Sequence, residues 1–320
     1  MFEVCYTGGP ARENPVDALR KVYEELFRED AKVVHIDADL MRSVGLLPLR
    51  EKYPSNVIDC GIQEANAVGV AAGLFLAGYK PFVHTFAPFA SRRVMDIAFI
   101  SVAYAHKSVR ILGSDPGIMA KTNGGTHMPF EDVGVYRMVP EATVIDVTDA
   151  AMLRSMVRAT VDRPGLTYIR TPRKDVPDVY TADSTFEIGK AAVLEDGTDV
   201  TIIACGIMVA TAIEAGRQLK EEGIHARIVD IVSIKPIDTA CVLESAKKTG
   251  AIVTAENHNI IGGLGSAVCE TLSETGTPVV RVGVNDRFGQ VGSLPFLREA
   301  YGLTAEALVH AAHKAIALKR

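Results

Sequence analysis

The residues best suited to catalysis begin at Glu64. This residue follows Asp59-Cys60-Gly61-Ile62-Gln63 and precedes a run of mostly small and apolar residues, Ala65 to Leu74. A carboxylate that opens such a helix is expected to be buried or pressed against another subunit, and a buried acid needs a specific hydrogen-bond partner. The alternative is a carboxylate stabilised only by the positive end of the helix that it opens. The residues that follow favour a chemical role.

Aromatic and ionisable side chains follow further along the chain. Phe86 and Phe89 are three residues apart at a predicted strand-to-helix turn, so both rings can line one wall of a site. The alternative is a pair of ordinary core aromatics. His127 follows Gly124-Gly125-Thr126 in a predicted loop, where a histidine can contact a ligand or serve only the structure.

Composition excludes several classes of function. The chain has 320 residues, of which 48% are hydrophobic, and a net charge of −5 without a basic stripe, so nucleic acid is not an expected partner. No window has the roughly 18 apolar residues of a membrane span, and the first residues lack a signal pattern. The five cysteines form no CxxC pair and most of them lie in apolar runs, which predicts buried free thiols in a reducing cytoplasm.

Alternating helical and strand patterns predict two three-layer α/β domains with mostly parallel sheets. We expect a first domain over residues 1–175, a polar linker over 176–190 and a second domain over 191–320. The predicted helices include 14–29, 92–106, 149–161, 209–222 and 239–248. The predicted strands include 32–36, 80–86, 109–112, 143–147, 166–170, 200–205, 226–230, 251–256 and 278–284.

Polar residues gather after the predicted strands, at the edge where open parallel sheets bind ligands. In the first domain this edge carries the polar residues Asp37, Asp39, Arg92, Asp115, Asn123 and His127 together with the aromatic residues Phe86 and Phe89. The second domain offers Glu256, His258 and the glycine cluster 262–265. That cluster lacks the GxGxxG spacing, so we interpret it as a close strand-to-helix turn rather than a nucleotide site. Glu256, His258 and His225 are expected to be surface or interface residues rather than metal ligands.

Four sequence blocks in this order resemble the transketolase family of thiamine diphosphate enzymes. They are Gly61-Ile62-Gln63-Glu64; Lys80-Pro81 with Thr85-Phe86-Ala87-Pro88-Phe89-Ala90-Ser91-Arg92; Asp115 with Gly124-Gly125-Thr126-His127-Met128-Pro129; and Arg170-Thr171-Pro172-Arg173. The match is to the C-terminal two-thirds of a transketolase or of the related deoxyxylulose-phosphate synthase. It identifies the first domain as the family's pyrimidine-binding domain and the second as its C-terminal domain.

The resemblance implies roles at the cofactor for several residues. Glu64 is similar to the glutamate that hydrogen-bonds the pyrimidine nitrogen N1′ and so promotes deprotonation of the thiazolium carbon. A desolvated carboxyl with a raised pKa would suit that proton sharing. Phe86 and Phe89 resemble the aromatics that pack on the pyrimidine ring. Asp39 and Arg92 are also expected at the cofactor.

The resemblance also implies roles at the substrate for a second group of residues. His127 resembles the loop histidine that contacts the substrate's oxygen atoms and donates a proton. Arg173 resembles the arginine that binds a sugar phosphate, for which a guanidinium fork is well shaped; a solvated arginine at a domain boundary is the alternative. Ser43 and Arg12 match phosphate-site positions of the family, the latter through a loose N-terminal alignment.

Three residues depart from the family pattern. Asn123 stands where transketolases carry an aspartate that reads hydroxyl stereochemistry, and Ser114 stands where many have a histidine. Met128 replaces a common glutamine. The chemistry is expected to survive these changes, whereas the identity of the sugar is left open.

The family's Gly-Asp-Gly motif, which binds the cofactor diphosphate and Mg²⁺, does not occur in this chain. The resemblance therefore implies one half of a split transketolase. A separate N-terminal subunit would supply the diphosphate site and the metal ligands, and no metal ligands are expected here. We expect a cytoplasmic α2β2 assembly whose small-residue helix after Glu64 packs across a two-fold interface. The isolated chain should be inactive.

The leading hypothesis is transfer of a two-carbon ketol unit between sugar phosphates. The alternatives are the β subunit of a 2-oxo acid dehydrogenase E1, an enzyme like deoxyxylulose-phosphate synthase, and a non-catalytic scaffold subunit that retains the fold. The Thr126-His127 loop and Arg173 favour the sugar enzyme over the dehydrogenase. Glu64, Phe89 and His127 favour an enzyme over a scaffold. A nicotinamide-binding protein is disfavoured because the glycine fingerprint is missing.

Overall fold

The computed structural model describes residues 1–173 and 176–319. Residues 174–175, where the predicted first domain ends, lie outside the described residues, as does residue 320. The division into residues 1–175, 176–190 and 191–320 stays a prediction.

Within the described residues, seven strands form the first sheet. They are β1 (Val33–Asp37), β2 (Val57–Asp59), β3 (Lys80–Phe86), β4 (Val109–Ser114), β5 (Thr143–Asp146), β6 (Leu166–Thr171) and β10 (Ser233–Lys235). Their order is β10-β5-β6-β4-β3-β1-β2, and every pairing is parallel except that of β10 with β5. Nearly continuous burial along β1, β3, β4 and β6 is typical of a parallel sheet that is covered on both faces.

The second sheet has five strands in the described part of the chain. They are β7 (Ala192–Glu195), β8 (Val200–Ala204), β9 (Ala226–Asp230), β11 (Ile252–Asn259) and β12 (Val279–Val284), in the order β12-β11-β8-β9-β7. Only the edge strand β7 runs antiparallel to its neighbour. These two sheets with their flanking helices confirm the predicted α/β class.

Helices flank both sheets. In the first half they are α1 (Pro15–Glu29), α2 (Leu47–Lys52), α3 (Glu64–Leu76), α4 (Ala87–Ser91), α5 (Met95–Ile97), α6 (Asp132–Arg137) and α7 (Ala150–Thr160). A π-helical segment covers Ala98–Tyr104 and a 3-10 segment covers Gly117–Asn123. In the second half they are α8 (Met208–Glu221), α9 (Thr239–Thr249), α10 (Leu264–Thr271), α11 (Leu294–Tyr301) and α12 (Ala305–Ala317).

The predicted helix over residues 92–106 is wrong at its start. Helix α4 already begins at Ala87, directly after β3, and ends at Ser91. Non-regular backbone at residues 92–94 separates it from α5 and the π-helical segment. This break places Arg92 and Arg93 in different surroundings, which matters for the site below.

Of the two environments predicted for Glu256 and His258, surface or interface, the structure excludes the surface, because both side chains are buried. They lie on β11 where the second sheet meets the first domain, and the Gly134 N–H donates to His258 Nε2 at 3.4 Å. Burial lowers the pKa of His258 to about 4, and burial raises the pKa of Glu256 to about 7 although the amides of Gly265 and Leu264 donate to its carboxylate. His225 is exposed, as predicted.

Arg170 joins the two sheets. Its buried guanidinium donates to Asp132 Oδ2 at 2.8 Å, to Asp146 Oδ2 at 2.7 Å and to the carbonyl oxygen of Asn257 at 2.9 Å. Buried charges need partners of this kind. Arg170 belongs to the fourth block of the sequence pattern, and its contacts show a structural role in holding the domains together. No helix in residues 1–173 and 176–319 is long and apolar enough to cross a membrane.

Candidate active site

The site lies at the carboxyl ends of β1, β3 and β4, which are neighbours in the sheet. Phe86 ends β3 directly opposite Ser114, which ends β4. Asp39 follows β1 by two residues. In an open parallel sheet this edge is where ligands bind, because the loops that leave it diverge.

Phe86, Phe89 and His127 form one aromatic cluster. The two phenylalanine ring centroids are 6.4 Å apart, and the His127 ring lies 5.8 Å from Phe86 and 5.2 Å from Phe89 in edge-to-face geometry. The His127 Nδ1 is 2.9 Å from the hydroxyl of Thr126, which fixes the orientation of the imidazole. Helix α4 carries Phe89 and the glycine-containing loop carries His127, so the predicted wall is assembled from two separate segments.

Glu64 is the first residue of α3 and its side chain is only 4% exposed. Its Oε1 accepts a hydrogen bond from Arg93 Nη1 at 2.7 Å. The Arg93 guanidinium also lies over Phe89, with Cζ 4.2 Å from the ring centroid. The sequence predicts a buried acid with a specific partner, and the structure supplies that partner 29 residues further along the chain.

Arg92 turns away from Glu64. Its Nη1 donates to Glu131 Oε1 at 2.9 Å and its Nη2 donates to the Thr126 carbonyl at 3.1 Å. The guanidinium therefore braces the loop that carries His127. The role at the cofactor that the family pattern implies for Arg92 stays a prediction.

Arg173 is brought together with Asp115 and Ser43. Its Nε donates to Asp115 Oδ2 at 2.7 Å, its Nη2 donates to the same oxygen, and its Nη1 donates to the Ser43 carbonyl at 2.9 Å. Its Cζ lies 5.0 Å from the Phe86 ring centroid. Arg173, Asp115 and the exposed Asn123 line a small cavity of about 160 Å³. Three predicted substrate residues, Arg173, Ser43 and Asn123, are thus grouped beside the aromatic cluster.

Asp39 and Arg12 are placed differently. Asp39 is exposed in left-handed backbone (φ 61°), and its N–H donates to Asp59 Oδ1 at 3.0 Å. The same oxygen accepts the Gly61 N–H at 3.0 Å, so Asp59 ties the end of β1 to the turn before Glu64. Arg12 lines a separate open groove of about 960 Å³, together with Tyr6, Glu214, Arg298 and other residues. The structure does not group Arg12 with the aromatic cluster.

A buried chain of hydrogen bonds behind the site was not predicted. His84 Nε2 is 3.0 Å from Ser114 Oγ, and His84 Nδ1 is 2.8 Å from Asp37 Oδ2. His35 Nε2 is 3.3 Å from the same oxygen. Burial opposes ionisation of Asp37, yet the two imidazole contacts hold the pKa of its carboxyl below the ordinary value. The ionised carboxylate is an acceptor for His84 Nδ1, and the second ring nitrogen of His84 extends the chain of hydrogen bonds to the Ser114 hydroxyl.

Polar residues inside two apolar strand patterns were the available signal for this chain of bonds. His35 and His84 alternate with apolar residues in β1 and β3, and pairing of these strands puts His84 opposite Asp37. In the part of the chain that the structure describes, these three side chains are the one group whose ligand atoms lie within metal-ligand reach. The 2.8 Å contact is an ordinary hydrogen bond, and Mg²⁺ prefers oxygen ligands. The group does not fit a magnesium site.

Family models cover most of the chain. Residues 15–179 match the model of the transketolase pyrimidine binding domain, and residues 189–308 match that of the transketolase C-terminal domain. Both matches fall on the parts that carry the two sheets.

Individual relatives agree with these models. The chain is 46% identical to the 6-deoxy-6-sulfo-D-fructose transketolase subunit of Clostridium sp. strain MSTE9, over 92% of this chain and 94% of that relative. It is 39% identical to an apulose-4-phosphate transketolase subunit of Phocaeicola vulgatus, over 92% of this chain and 96% of the relative.

A solved structure also matches along nearly the full length. It is described as an inactive β4 tetramer of a split-gene transketolase, and it superposes with a TM-score of 0.89 at 43% identity, covering 98% of this chain and 100% of that one. The sequence pattern, the geometry and these comparisons agree: the chain belongs to the transketolase family and contains its pyrimidine-binding and C-terminal domains.

Proposed function

We propose that the chain is the C-terminal subunit of a heteromeric transketolase that depends on thiamine diphosphate and transfers a two-carbon ketol unit between sugar phosphates. The observation that carries the proposal is the buried carboxylate of Glu64, which a single guanidinium, that of Arg93, links to the Phe89 ring. Its similar relatives are themselves named as transketolase subunits.

The side chains present fit the aminopyrimidine of the coenzyme. An aminopyrimidine that packs on Phe86 or Phe89 can meet an acid at its edge, because the Arg93 guanidinium lies over Phe89 and reaches the buried Glu64 carboxylate at 2.7 Å. When bound, the coenzyme supplies a carbon nucleophile and an electron sink. Glu64 holds and shares a proton at the pyrimidine edge, where desolvation strengthens the interaction. Phe86 and Phe89 orient the ring and exclude water from it.

The substrate half of the site uses different residues. His127 stands at the mouth of the aromatic cluster, from which its imidazole can donate to the carbonyl or hydroxyl oxygens of a sugar. Arg173 is held in place by Asp115, and Ser43 and Asn123 lie around it. A positioned guanidinium suits a terminal anion of the substrate. Arg12 is proposed as a more distant contact to that anion.

Further features of the proposal concern the assembly. The diphosphate group and Mg²⁺ would be held by a separate N-terminal subunit, with two copies of each subunit in the enzyme and the site formed between subunits. We also propose a cytoplasmic enzyme, which agrees with five free thiols in the described chain. The three predicted segments, 1–175, 176–190 and 191–320, agree with the two separate sheets, although β10 crosses to the first sheet.

The test is reconstitution of the chain with its N-terminal subunit, thiamine diphosphate and Mg²⁺. Ketol transfer is measured with xylulose 5-phosphate and with 6-deoxy-6-sulfofructose as donors, and pyruvate serves as the donor of the alternative enzymes. We expect transfer from a ketose and none from pyruvate. Turnover of pyruvate alone would contradict the proposal and favour a 2-oxo acid dehydrogenase or a synthase.

The scaffold alternative needs its own variant. Replacing Glu64 by Ala in the same complex should abolish turnover, because it removes the buried carboxylate that is proposed to share a proton with the coenzyme. Glu25→Ala on α1 is the matched control, because Glu25 also pairs with an arginine, Arg158, but is exposed. Unchanged activity of the Glu64 variant would show that this subunit only supports the fold of the enzyme.

A further inference from the structure

Arg93 occupies the space between Glu64 and Phe89. One edge of its guanidinium donates to Glu64 Oε1 at 2.7 Å, and its plane lies over the Phe89 ring with Cζ 4.2 Å from the centroid. Glu64 is buried, whereas the Arg93 side chain is 47% exposed. The carboxylate and the aromatic face are therefore covered by a single group that can reach solvent.

A guanidinium and an aminopyrimidine offer the same features to these two residues. Both are flat and both stack on aromatic rings. The guanidinium carries N–H donors on its edge, and the pyrimidine edge carries one once a proton lies on N1′. A carboxylate beside an aromatic face therefore binds either one. The Oε1 atom and the face of Phe89 that Arg93 covers are not accessible to a second flat group while Arg93 remains there.

We propose that Arg93 takes the position of the coenzyme's aminopyrimidine in the chain without coenzyme, and that coenzyme binding displaces it. This inference rests on the proposed function, since it takes Glu64 and Phe89 as the coenzyme's partners. Arg93 is then a determinant of coenzyme affinity.

The first experiment measures the dissociation constant of thiamine diphosphate for the reconstituted complex by calorimetry. Arg93→Met removes the charge and the plane but keeps a similar length. Half-exposed ion pairs are weak, so we expect this variant to bind the coenzyme roughly two- to fivefold more tightly than the wild type. Arg158→Met is the matched control, because Arg158 is a similarly exposed arginine that pairs with Glu25 and Glu29 on α1. The control should match the wild type.

Each other result has a defined meaning. Equal affinity of Arg93→Met and wild type would overturn the inference and leave the proposed function intact. Weaker binding would also overturn it, because Arg93 would then be a ligand of the coenzyme rather than its competitor. A wild-type complex that binds no thiamine diphosphate would refute the proposed function itself.

A second experiment covers the case in which Arg93→Met does not fold. In Arg93→Ala, free methylguanidine replaces the missing group, and it should raise the apparent dissociation constant of the coenzyme competitively. The double variant with Glu64→Gln lacks the carboxylate, so methylguanidine should have no effect there. Methylguanidine that leaves coenzyme binding to Arg93→Ala unchanged would overturn the inference.

Discussion

Adjacent residues in this site have different partners, and that difference is set by side-chain direction. Arg92 and Arg93 are consecutive residues of the same type, yet Arg92 contacts Glu131 and Arg93 contacts Glu64. The burial of Glu64 could be predicted, because a carboxylate at the start of an apolar helix has few other environments. The identity of its partner could not, since it depends on where α4 ends and on one rotamer.

His127 gives a prediction that separates substrate from coenzyme. His127→Asn keeps a polar group of similar shape but removes the proton donor. We expect kcat/KM for the ketose donor to fall by about 100-fold, which is typical for loss of a general acid. The dissociation constant of the coenzyme should stay near that of the wild type. A coenzyme affinity that falls as far as kcat/KM would instead place His127 at the coenzyme.

Asp37 gives a prediction for stability at the residue scale. Asp37→Asn replaces a buried carboxylate whose two oxygens contact His35, His84 and the Leu40 N–H by an amide with a single acceptor oxygen, so at least one of these groups loses its acceptor and faces an NH2 group. We expect the free energy of unfolding in urea to fall by about 3 kcal/mol, as for other broken buried pairs. Asp17→Asn, at a partly exposed pair on α1, should change it by less than about 1 kcal/mol. Equal effects of the two variants would contradict the account.

At the scale of elements, strands were easier to predict than the pieces between them. The range of β3 agrees with its predicted one, because a run of apolar and β-branched residues leads directly into the Phe86 turn. Strand β10 was missed since three residues before Pro236 carry no periodic signal. β10 pairs with β5, a strand that lies about 90 residues earlier in the chain, and such a distant pairing cannot be predicted from a local sequence pattern.

The end of β11 gives a prediction for pH dependence. His258 has a folded-state pKa of about 4 against an ordinary 6.5, so the unfolded chain binds more protons between these values. Stability from this residue is therefore complete above pH 6.5 and is lost as the pH falls toward 4. The difference of 2.5 units corresponds to about 3 kcal/mol.

The measurement compares wild type with His258→Asn in urea unfolding from pH 7 to pH 4. The groups that face His258 are Asp132, Arg170 and Glu256, and they are present in both proteins, so the difference between the two curves reports mainly on His258. The wild type should lose stability relative to the variant as the pH is lowered. Parallel curves would show that His258 is charged in the folded protein.

At the scale of the whole molecule, helix α3 has an apolar face that the described residues 1–173 and 176–319 leave exposed. Gly69, Gly73 and Leu76 are exposed on it, and the neighbouring π-helical segment exposes Ile100 and Tyr104. An apolar surface of this kind on a helix is typical of an interface. Because Glu64 opens the same helix, an interface here would put the candidate site between two subunits.

Gly69 tests this face without disturbing the fold. A Cβ at Gly69 meets no atom within 4 Å in the single chain, so Gly69→Arg should fold with at least wild-type stability. We expect the wild-type chain to sediment as a dimer or a larger species and the variant as a monomer. Glu221→Arg on α8 is the control for added charge. A variant that sediments like the wild type would place the interface elsewhere.

The fold class could be predicted from the alternation of strand and helix patterns, and the family from four short blocks of sequence. The sequence could not show which contacts the chain makes when the coenzyme is absent. Arg173 with Asp115, and Arg93 with Glu64, are ion pairs between segments that only the folded sheet brings together.

The central claim is that Glu64 shares a proton with the pyrimidine edge of the coenzyme. Exchange of the thiazolium C2 proton of bound thiamine diphosphate for deuterium measures this directly, by NMR after rapid quenching of the reconstituted complex. We predict that exchange in Glu64→Gln is slower than in the wild type by about 100-fold or more, at saturating coenzyme. An exchange rate equal to that of the wild type would contradict the account.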